Sequence, residues 1–357
     1  MPHLENDFTE IPVIDLSLAN DPSTLPDLLR SLRVALTEVG FLYVSNHNVP
    51  RDVIRDVVEI LPTLFALPEA SKKAMALENS PHFLGYSGDG TEYTAGKTDK
   101  REQIDLATEL KVIDDPDAPF YERLQGPNQW PLDLPELRPR VEKYIAELTL
   151  LGERFLPLVA QALELPAETF LPFLSDQHRM KLLHYPAVPP GSGAAQGVGP
   201  HKDASGWWTF LLQASPPEVK GLQVLNKAGD WVDVPVLEDT FVVNIGQAFE
   251  LITHGVCKAT THRVLSGTNE RFSVPFFQGV RRNITKQEAL SSLRDHFSVF
   301  GSDLGAESEA SRAIDSVFLR GKYDTWGENV LRSKVRSHRD TGKKFYPEVY
   351  ETYINDE

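Results

Sequence analysis

Apolar positions in the first third of the chain alternate between two periods. Ile11-Pro12-Val13-Ile14 is a short apolar run that predicts a strand. Beyond Ser23, a residue suited to cap a helix, Leu25, Leu28, Leu29, Leu32 and Leu36 fall on one helical face, and Gly40 stops that helix. Phe41-Leu42-Tyr43-Val44 predicts a buried strand, followed by helices near 51–65 and 68–77. Residues 81–100 are rich in Gly, Ser, Thr and Tyr without sustained period and predict a long loop. A helix over 136–163 carries Val141, Tyr144, Ile145, Leu148, Leu151, Phe155 and Val159 toward a core, with Pro157 as a site for a kink.

From Met180 the pattern changes to short strands between turns, at 181–185, 207–213, 221–225, 231–234, 240–244, 262–264 and 271–277. So many closely spaced strands predict a β-sandwich or barrel. After Arg282 the period is helical again, most clearly over 286–297 and 308–319. The expected organisation is an α/β lobe with its scaffold helix (1–175), a β core (176–282) and a helical tail (283–357). The tail reads as packing helices, with a lid over a site as the alternative. No internal repeat or low-complexity tract interrupts it.

Composition narrows the picture. A chain of 357 residues that is 41% hydrophobic and 24% charged can bury a sizeable core without a stabilising disulfide or metal. Its single cysteine, Cys257, excludes a disulfide framework and any site built on several thiolates, so a bound metal needs His and carboxylate ligands. Residues 1–10 are acidic and lack the basic start and apolar run of a secretory leader, and no apolar stretch approaches the ~18 residues of a membrane span. A cytoplasmic setting without membrane contact is therefore expected. The formal net charge of -15 disfavours nucleic acid as a partner, because phosphate contacts need a concentrated basic surface. Arg281-Arg282 and the basic run at 332–344 read as solvated surface, and nothing in the sequence calls for an obligate protein partner.

The candidate chemistry lies in the β region. In His201-Lys202-Asp203 an i, i+2 pair on extended chain turns both side chains to one side. The spacing alone decides nothing, since His338-Arg339-Asp340 repeats it. Only the first pair is followed by a third ligand on a later strand, His262, which completes a two-His-one-carboxylate facial triad suited to iron(II). Three ligands on one octahedral face leave three adjacent positions, enough for a bidentate oxoacid and dioxygen. Nine residues on, Arg271-Phe272-Ser273 places a guanidinium and a hydroxyl on one side of an otherwise apolar strand, able to hold a carboxylate. A salt bridge to a protein carboxylate is the structural alternative for Arg271.

These residues together resemble the isopenicillin N synthase-like group of iron(II)/2-oxoglutarate-dependent dioxygenases. The resemblance covers about residues 10–280. It runs through Ile11-Pro12-Val13-Ile14-Asp15, Gly40-Phe41, Asn46-His47, Leu183-His184-Tyr185-Pro186, His201-x-Asp203, Gly221-Leu222-Gln223-Val224, Val243-Asn244-Ile245-Gly246, His262-Arg263-Val264 and Arg271-x-Ser273-Val274-Pro275-Phe276-Phe277. It implies a mixed α+β fold, with a double-stranded β-helix (jelly-roll) core, an N-terminal α/β extension and a helical C-terminal tail. It further implies Fe(2+) held by His201, Asp203 and His262, and 2-oxoglutarate held at its distal carboxylate by Arg271, Ser273 and Tyr185.

The implied activity consumes O2 and couples decarboxylation of 2-oxoglutarate, to succinate and CO2, with hydroxylation, desaturation or ring modification of a small organic substrate. Leu183, Lys202 and Gln247 depart from residues common in plant members (Asn, Thr and Asp) without removing a ligand. Some members share the Arg-x-Ser motif without using 2-oxoglutarate, so an oxidase of the isopenicillin N synthase type is an alternative. Thr94-Ala95-Gly96-Lys97-Thr98-Asp99 is similar to a segment of the microbial ethylene-forming enzyme, which adds ethylene formation as another. A non-catalytic binding protein on the same fold is opposed by the intact triad. Candidates for the substrate pocket are Tyr86, Tyr93, Arg101, Trp207, Phe210 and Phe277, with core packing as the competing role for the aromatic ones.

Overall fold

The protein is described by a computed structural model covering residues 8–356 except 95, 192, 205, 304–313 and 315; the side chains of 93 and 301–303 also lie outside the described set. In chain order the strands are β1 (Val13–Asp15), β2 (Phe41–Ser45), β3 (Gly85–Ser87), β4 (Tyr93–Thr94), β5 (Lys97–Thr98), β6 (Glu102–Ala107) and β7 (Arg179–Tyr185), then β8 (Ala195–His201), β9 (Trp208–Gln213), β10 (Leu222–Leu225), β11 (Trp231–Asp233), β12 (Thr240–Ile245), β13 (His262–Ser266) and β14 (Arg271–Phe277). They form an eight-stranded sheet, β1-β2-β12-β9-β14-β7-β6-β3, a four-stranded sheet, β11-β10-β13-β8, and the small hairpin β4-β5.

Period-2 alternation assigns each face of the large sheet a different task. Phe41, Tyr43, Leu183, Tyr185 and Val242 point toward the small sheet and meet Val198, Leu222, Val224 and Val264 in the interior of a sandwich. Their neighbours Leu42, Val44, Leu182, Phe241 and Val243 point the other way, into the core built with helices Leu25–Val34, Arg51–Phe65 and Leu137–Ala162. On that outer face Phe155 meets Trp208 and Phe210 edge to face at 5.2 and 5.8 Å. The result is a jelly-roll core with an N-terminal α/β region and C-terminal helices. Among the described residues no helix is long and apolar enough to cross a membrane.

Several elements differ from the sequence expectation. Ser23 does not cap the first helix: its hydroxyl donates to Asp21 Oδ1, and the helix starts after Thr24 with Pro26 in its first turn. The helix expected at 68–77 is Glu69–Ala74. The loop at 81–100 contains β3 and the β4-β5 hairpin. Two strands had no signature of their own. β6 is buried along its length yet carries Glu102, Gln103 and Asp105, and β8 contains Gly197, Gly199 and Pro200, tolerable because β8 is an edge strand.

The helix expected at 286–297 breaks into Lys286–Ser291 and Arg294–Asp303 around Leu293, whose φ is 55°. Of the helix expected at 308–319, residues 308–313 and 315 lie outside the described residues, and Val317–Arg320 is helical. The basic run at 332–344 is not simply solvated surface. Arg332, only 8% exposed, pairs with Asp356 at 3.0 Å, in a cluster where helices Trp326–Ser337, Arg339–Phe345 and Pro347–Ile354 pack on Phe83, Tyr121 and Leu124.

Gly40 caps a π-type turn, Ala35–Val39, and leads into β2 with φ of 72°. A Cβ there would lie 2.3 Å from the Lys258 carbonyl oxygen and 2.4 Å from Thr260 Oγ1. Gly40→Ala therefore combines left-handed strain with a backbone collision, and it is expected to lower unfolding stability by about 1–3 kcal/mol. A urea unfolding curve with unchanged slope and a lower midpoint is the expected result.

Candidate metal centre

Strand pairing brings the first two residues of the site together. The last residue of β8, His201, is the cross-strand partner of the first residue of β13, His262, and the ring centroids lie 4.2 Å apart. The β8-β13 register is irregular, His262 pairing with His201 but Val264 with Val198, so β8 carries an extra residue at the site. Asp203 follows two residues beyond the strand. Its Oδ1 lies 3.6 Å from His201 Nε2 and 3.7 Å from His262 Nε2. These separations are too long for good hydrogen bonds and short enough for one ion with bonds of about 2.0–2.2 Å to touch all three. Among the described residues this is the one group of three or more His, Cys, Asp or Glu residues arranged to hold a metal.

Each of the three is oriented from behind. His201 Nδ1 lies 2.8 Å from the Gly199 carbonyl and His262 Nδ1 lies 3.2 Å from that of Thr260, contacts that put the proton on Nδ1 and leave both Nε2 atoms as lone-pair donors. The other oxygen of Asp203, Oδ2, accepts from Thr209 Oγ1 at 2.5 Å and Asn244 Nδ2 at 2.7 Å, which turns Oδ1 toward the imidazoles. Burial, followed by the neighbouring His262, holds His201 well below the usual imidazole range, which favours its uncharged ring. Burial works to raise the Asp203 carboxyl, but the two imidazoles and the Thr209 and Asn244 bonds carry it below its usual range. A donor set of two imidazole nitrogens and one carboxylate oxygen fits iron(II).

The centre opens on a cavity of about 400 Å³ that also contains Tyr185, Arg271 and Ser273. Arg271 is 2% exposed, donates to Gln213 Oε1 at 3.2 Å, lies over the Tyr185 ring at 5.2 Å, and has an unpartnered Nη1. Burial lowers its pKa, and among the described residues no Asp or Glu pairs with it, so the salt bridge considered as a structural alternative is not what holds it. A buried guanidinium without a counter-charge, within reach of the metal ligands, fits an anionic cosubstrate.

Of the expected pocket residues, Arg101 and Phe277 line this cavity. Trp207 and Phe210 do not. Both are fully buried, Trp207 among Phe170, Phe173 and Phe249, and Phe210 against Phe155, on the face of β9 opposite Thr209 and Leu211. Tyr86 donates to Glu102 at 2.7 Å and borders a separate outer groove. The Tyr93 side chain lies outside the described residues, although its backbone forms β4.

His338, the look-alike histidine, faces Glu92 at 3.5 Å rather than a metal cluster. Sequence reasoning missed Thr209 and Asn244 behind Asp203, and also Glu92, Thr94, Lys181, Lys334 and Ser337 in the wall. Asn244 stood within a quoted motif. Lys334 and Ser337 come from helix Trp326–Ser337, so the tail supplies part of the wall.

Comparisons with known proteins agree with this geometry. Residues 11–133 match the family described as non-haem dioxygenase in morphine synthesis N-terminal, and residues 177–280 match the 2OG-Fe(II) oxygenase superfamily. The chain is 42% identical over 356 residues to the 2-oxoglutarate-dependent dioxygenase frbJ of Dothideomycetidae sp. (strain 11243), covering 96% of this chain and 94% of the relative. It is 34% identical to a 2-oxoglutarate-dependent dioxygenase of Gibberella zeae (97% and 93%), and 30% identical to a homoarginine-6-hydroxylase of Glycine max (77% and 86%). In fold it is similar to a putative 2OG-Fe(II) oxygenase family protein from Caulobacter crescentus, with a TM-score of 0.70, 24% identity, and coverage of 91% of this chain and 98% of that one.

Asn244→Ala is expected to weaken iron(II) binding by about 10–100-fold while leaving the fold intact, the usual consequence of removing a partner that orients a ligand. Anaerobic iron(II) titration against the unaltered chain measures this. In the same assay His201→Ala should abolish binding and His338→Ala should preserve it.

Proposed function

The chain belongs to the 2OG-Fe(II) oxygenase superfamily and is a 2-oxoglutarate-dependent dioxygenase acting on a small molecule, and from that premise we propose a role for each residue of the site. His201 Nε2, Asp203 Oδ1 and His262 Nε2 hold iron(II), while Thr209, Asn244 and the Gly199 and Thr260 carbonyls keep these donors aimed. Arg271, with Ser273 and Tyr185, holds the distal carboxylate of 2-oxoglutarate. The single observation that carries this reading is the buried, unpartnered Arg271 Nη1 in the cavity that contains the triad.

When bound, iron(II) supplies the redox chemistry, by which one atom of O2 enters succinate as CO2 leaves and the other oxidises the substrate. The chain's residues position the reactants and keep water out. Leu211, Leu222, Val264 and Pro275 form an apolar lining beside the polar anchors. The Asp203 carboxylate and the two imidazoles would hold iron(II) through three donors and would leave room for cosubstrate and O2.

The product is a hydroxylated small organic molecule, and a similar fungal enzyme, the clavatol oxidase of Penicillium crustosum, supports a place in specialised metabolism. A cytosolic setting suits the buried, reduced thiol of Cys257. Ethylene formation is the second reading, favoured by the position of Thr94, from the segment similar to the ethylene-forming enzyme, in the cavity wall.

Arg271→Ala should raise the dissociation constant for 2-oxoglutarate at least about tenfold, the effect of one lost charge-assisted contact, with iron affinity unchanged. Anaerobic calorimetry on iron-loaded protein measures it, and an unchanged constant removes Arg271 from the role. With O2 admitted, mass spectrometry should find succinate and a product one oxygen heavier than its precursor. Headspace ethylene without such a product would favour the second reading.

A further inference from the structure

The cavity has two halves with different charge balance. On the metal side, an iron(II) ion, the Asp203 carboxylate and the Arg271 guanidinium would together present two positive charges, matching the two carboxylates of 2-oxoglutarate. Lys202, also in the wall, faces Glu250 at 3.5 Å. That half closes.

The half facing the C-terminal helix does not. Asp105 of β6, 3% exposed, lies between two ammonium groups: Lys181 Nζ of β7 at 3.5 Å and Lys334 Nζ of helix Trp326–Ser337 at 3.4 Å. Both separations exceed the ~2.7–2.9 Å of a charge-assisted bond, and Asp105 Oδ2 also accepts from Gln103 at 2.7 Å. The half-buried Arg179 adds to the same field, and its hydrogen bonds go to the uncharged carbonyls of His82, Phe83 and Leu124.

Nearer β4, Arg101 lies 3.4 Å from Asp99 and 4.0 Å from Glu92. Glu92 also faces His338, whose burial lowers its pKa and favours the uncharged ring. Arg101, Lys181 and Lys334 in the wall and Arg179 behind it thus stand against Glu92 in the wall and Asp99 and Asp105 behind it, which leaves one positive charge around this half of the cavity. Lys181 and Lys334 are the members of the Asp105 group that reach the cavity wall. Burial drags Lys334 down to about 8 despite Asp105, as expected of an ammonium with too little counter-charge.

We propose that Lys334, together with Lys181, binds an anionic group of the primary substrate, which is therefore a small molecule carrying a carboxylate or an equivalent single negative charge. The inference rests on the cavity being the oxygenase site. A single structural ion pair would need one ammonium for Asp105, and two converge on it from different elements. A neutral substrate would enclose the surplus charge without a partner, whereas a monoanion neutralises it. Lys334 lies in the helical tail, beyond residues 11–133 and 177–280, the segments matched by the family descriptions, and its proposed role is that of a specificity-determining residue.

The test uses full-length protein loaded anaerobically with iron(II) and saturated with 2-oxoglutarate, whose binding is measured first. Two matched probe pairs, 3-phenylpropionate with 3-phenylpropionamide and hexanoate with hexanamide, are then titrated calorimetrically. At least one acid should bind about tenfold or more tightly than its amide, the contribution of one charge-assisted contact. This preference should fall below about threefold in Lys334→Gln. It should fall likewise in Ser337→Asp, which leaves the lysines and Asp105 in place and adds a negative charge one helical turn from Lys334. Lys334→Arg should keep it.

Equal binding of acids and amides, no acid binding at millimolar concentration, or a preference unaltered in Ser337→Asp would each overturn the proposal. Failure of wild-type protein to bind 2-oxoglutarate would instead overturn the underlying reading of the site, a separate and earlier result.

Discussion

The site depends on one strand pairing. Antiparallel contact between β8 and β13 sets His201 opposite His262, although the two stand far apart along the chain. A one-residue slip of either strand would send its histidine to the other face, because side chains alternate with period two. The irregularity in β8 falls where it adjusts the aim of His201 and supplies the Gly199 carbonyl to its Nδ1. Asp203 then needs no strand of its own. Thr209 of β9 and Asn244 of β12 fix its carboxylate, so the small sheet supplies both imidazoles and the large sheet holds the acid in place.

The same alternation explains how a polar cavity survives inside an apolar fold. β14 sends Phe272, Val274 and Phe276 into the helix-covered core and turns Arg271, Ser273, Pro275 and Phe277 inward. β9 does the same with Trp208 and Phe210 against Thr209 and Leu211. Helices packed on the outer face hold the large sheet, while its inner face is divided between the sandwich interior and the reaction space. The C-terminal helices close the far side, anchored by the Phe83, Tyr121 and Tyr346 cluster and bringing Lys334 and Ser337 to the wall.

Most of the β core was legible because its strands carry strong local patterns, as did the helices Arg51–Phe65 and Leu137–Ala162. β6 and β8 were not, for opposite reasons: one hides charges that are paired only in three dimensions, and the other is written with glycine and proline. The grouping of His201, Asp203 and His262 was visible from spacing and family pattern together, and the structure brings their ligand atoms within 4.8 Å of one another. The wall was much less visible. Trp207 and Phe210 looked like pocket residues because they neighbour the site in sequence, but the parity of β9 turns Phe210 into the core, and Trp207, just before that strand, packs among Phe170, Phe173 and Phe249. Lys334 looked like surface charge because its partner Asp105 lies 229 residues away.

The iron site is tested most directly by anomalous diffraction from crystals grown without oxygen in the presence of manganese(II) and 2-oxoglutarate. The expected result is a single ion in the site bonded to His201 Nε2, Asp203 Oδ1 and His262 Nε2, with 2-oxoglutarate reaching from that ion to the Arg271 guanidinium. An ion bound instead at His338, or a 2-oxoglutarate whose distal carboxylate lies on Lys334 and leaves Arg271 bare, would contradict it.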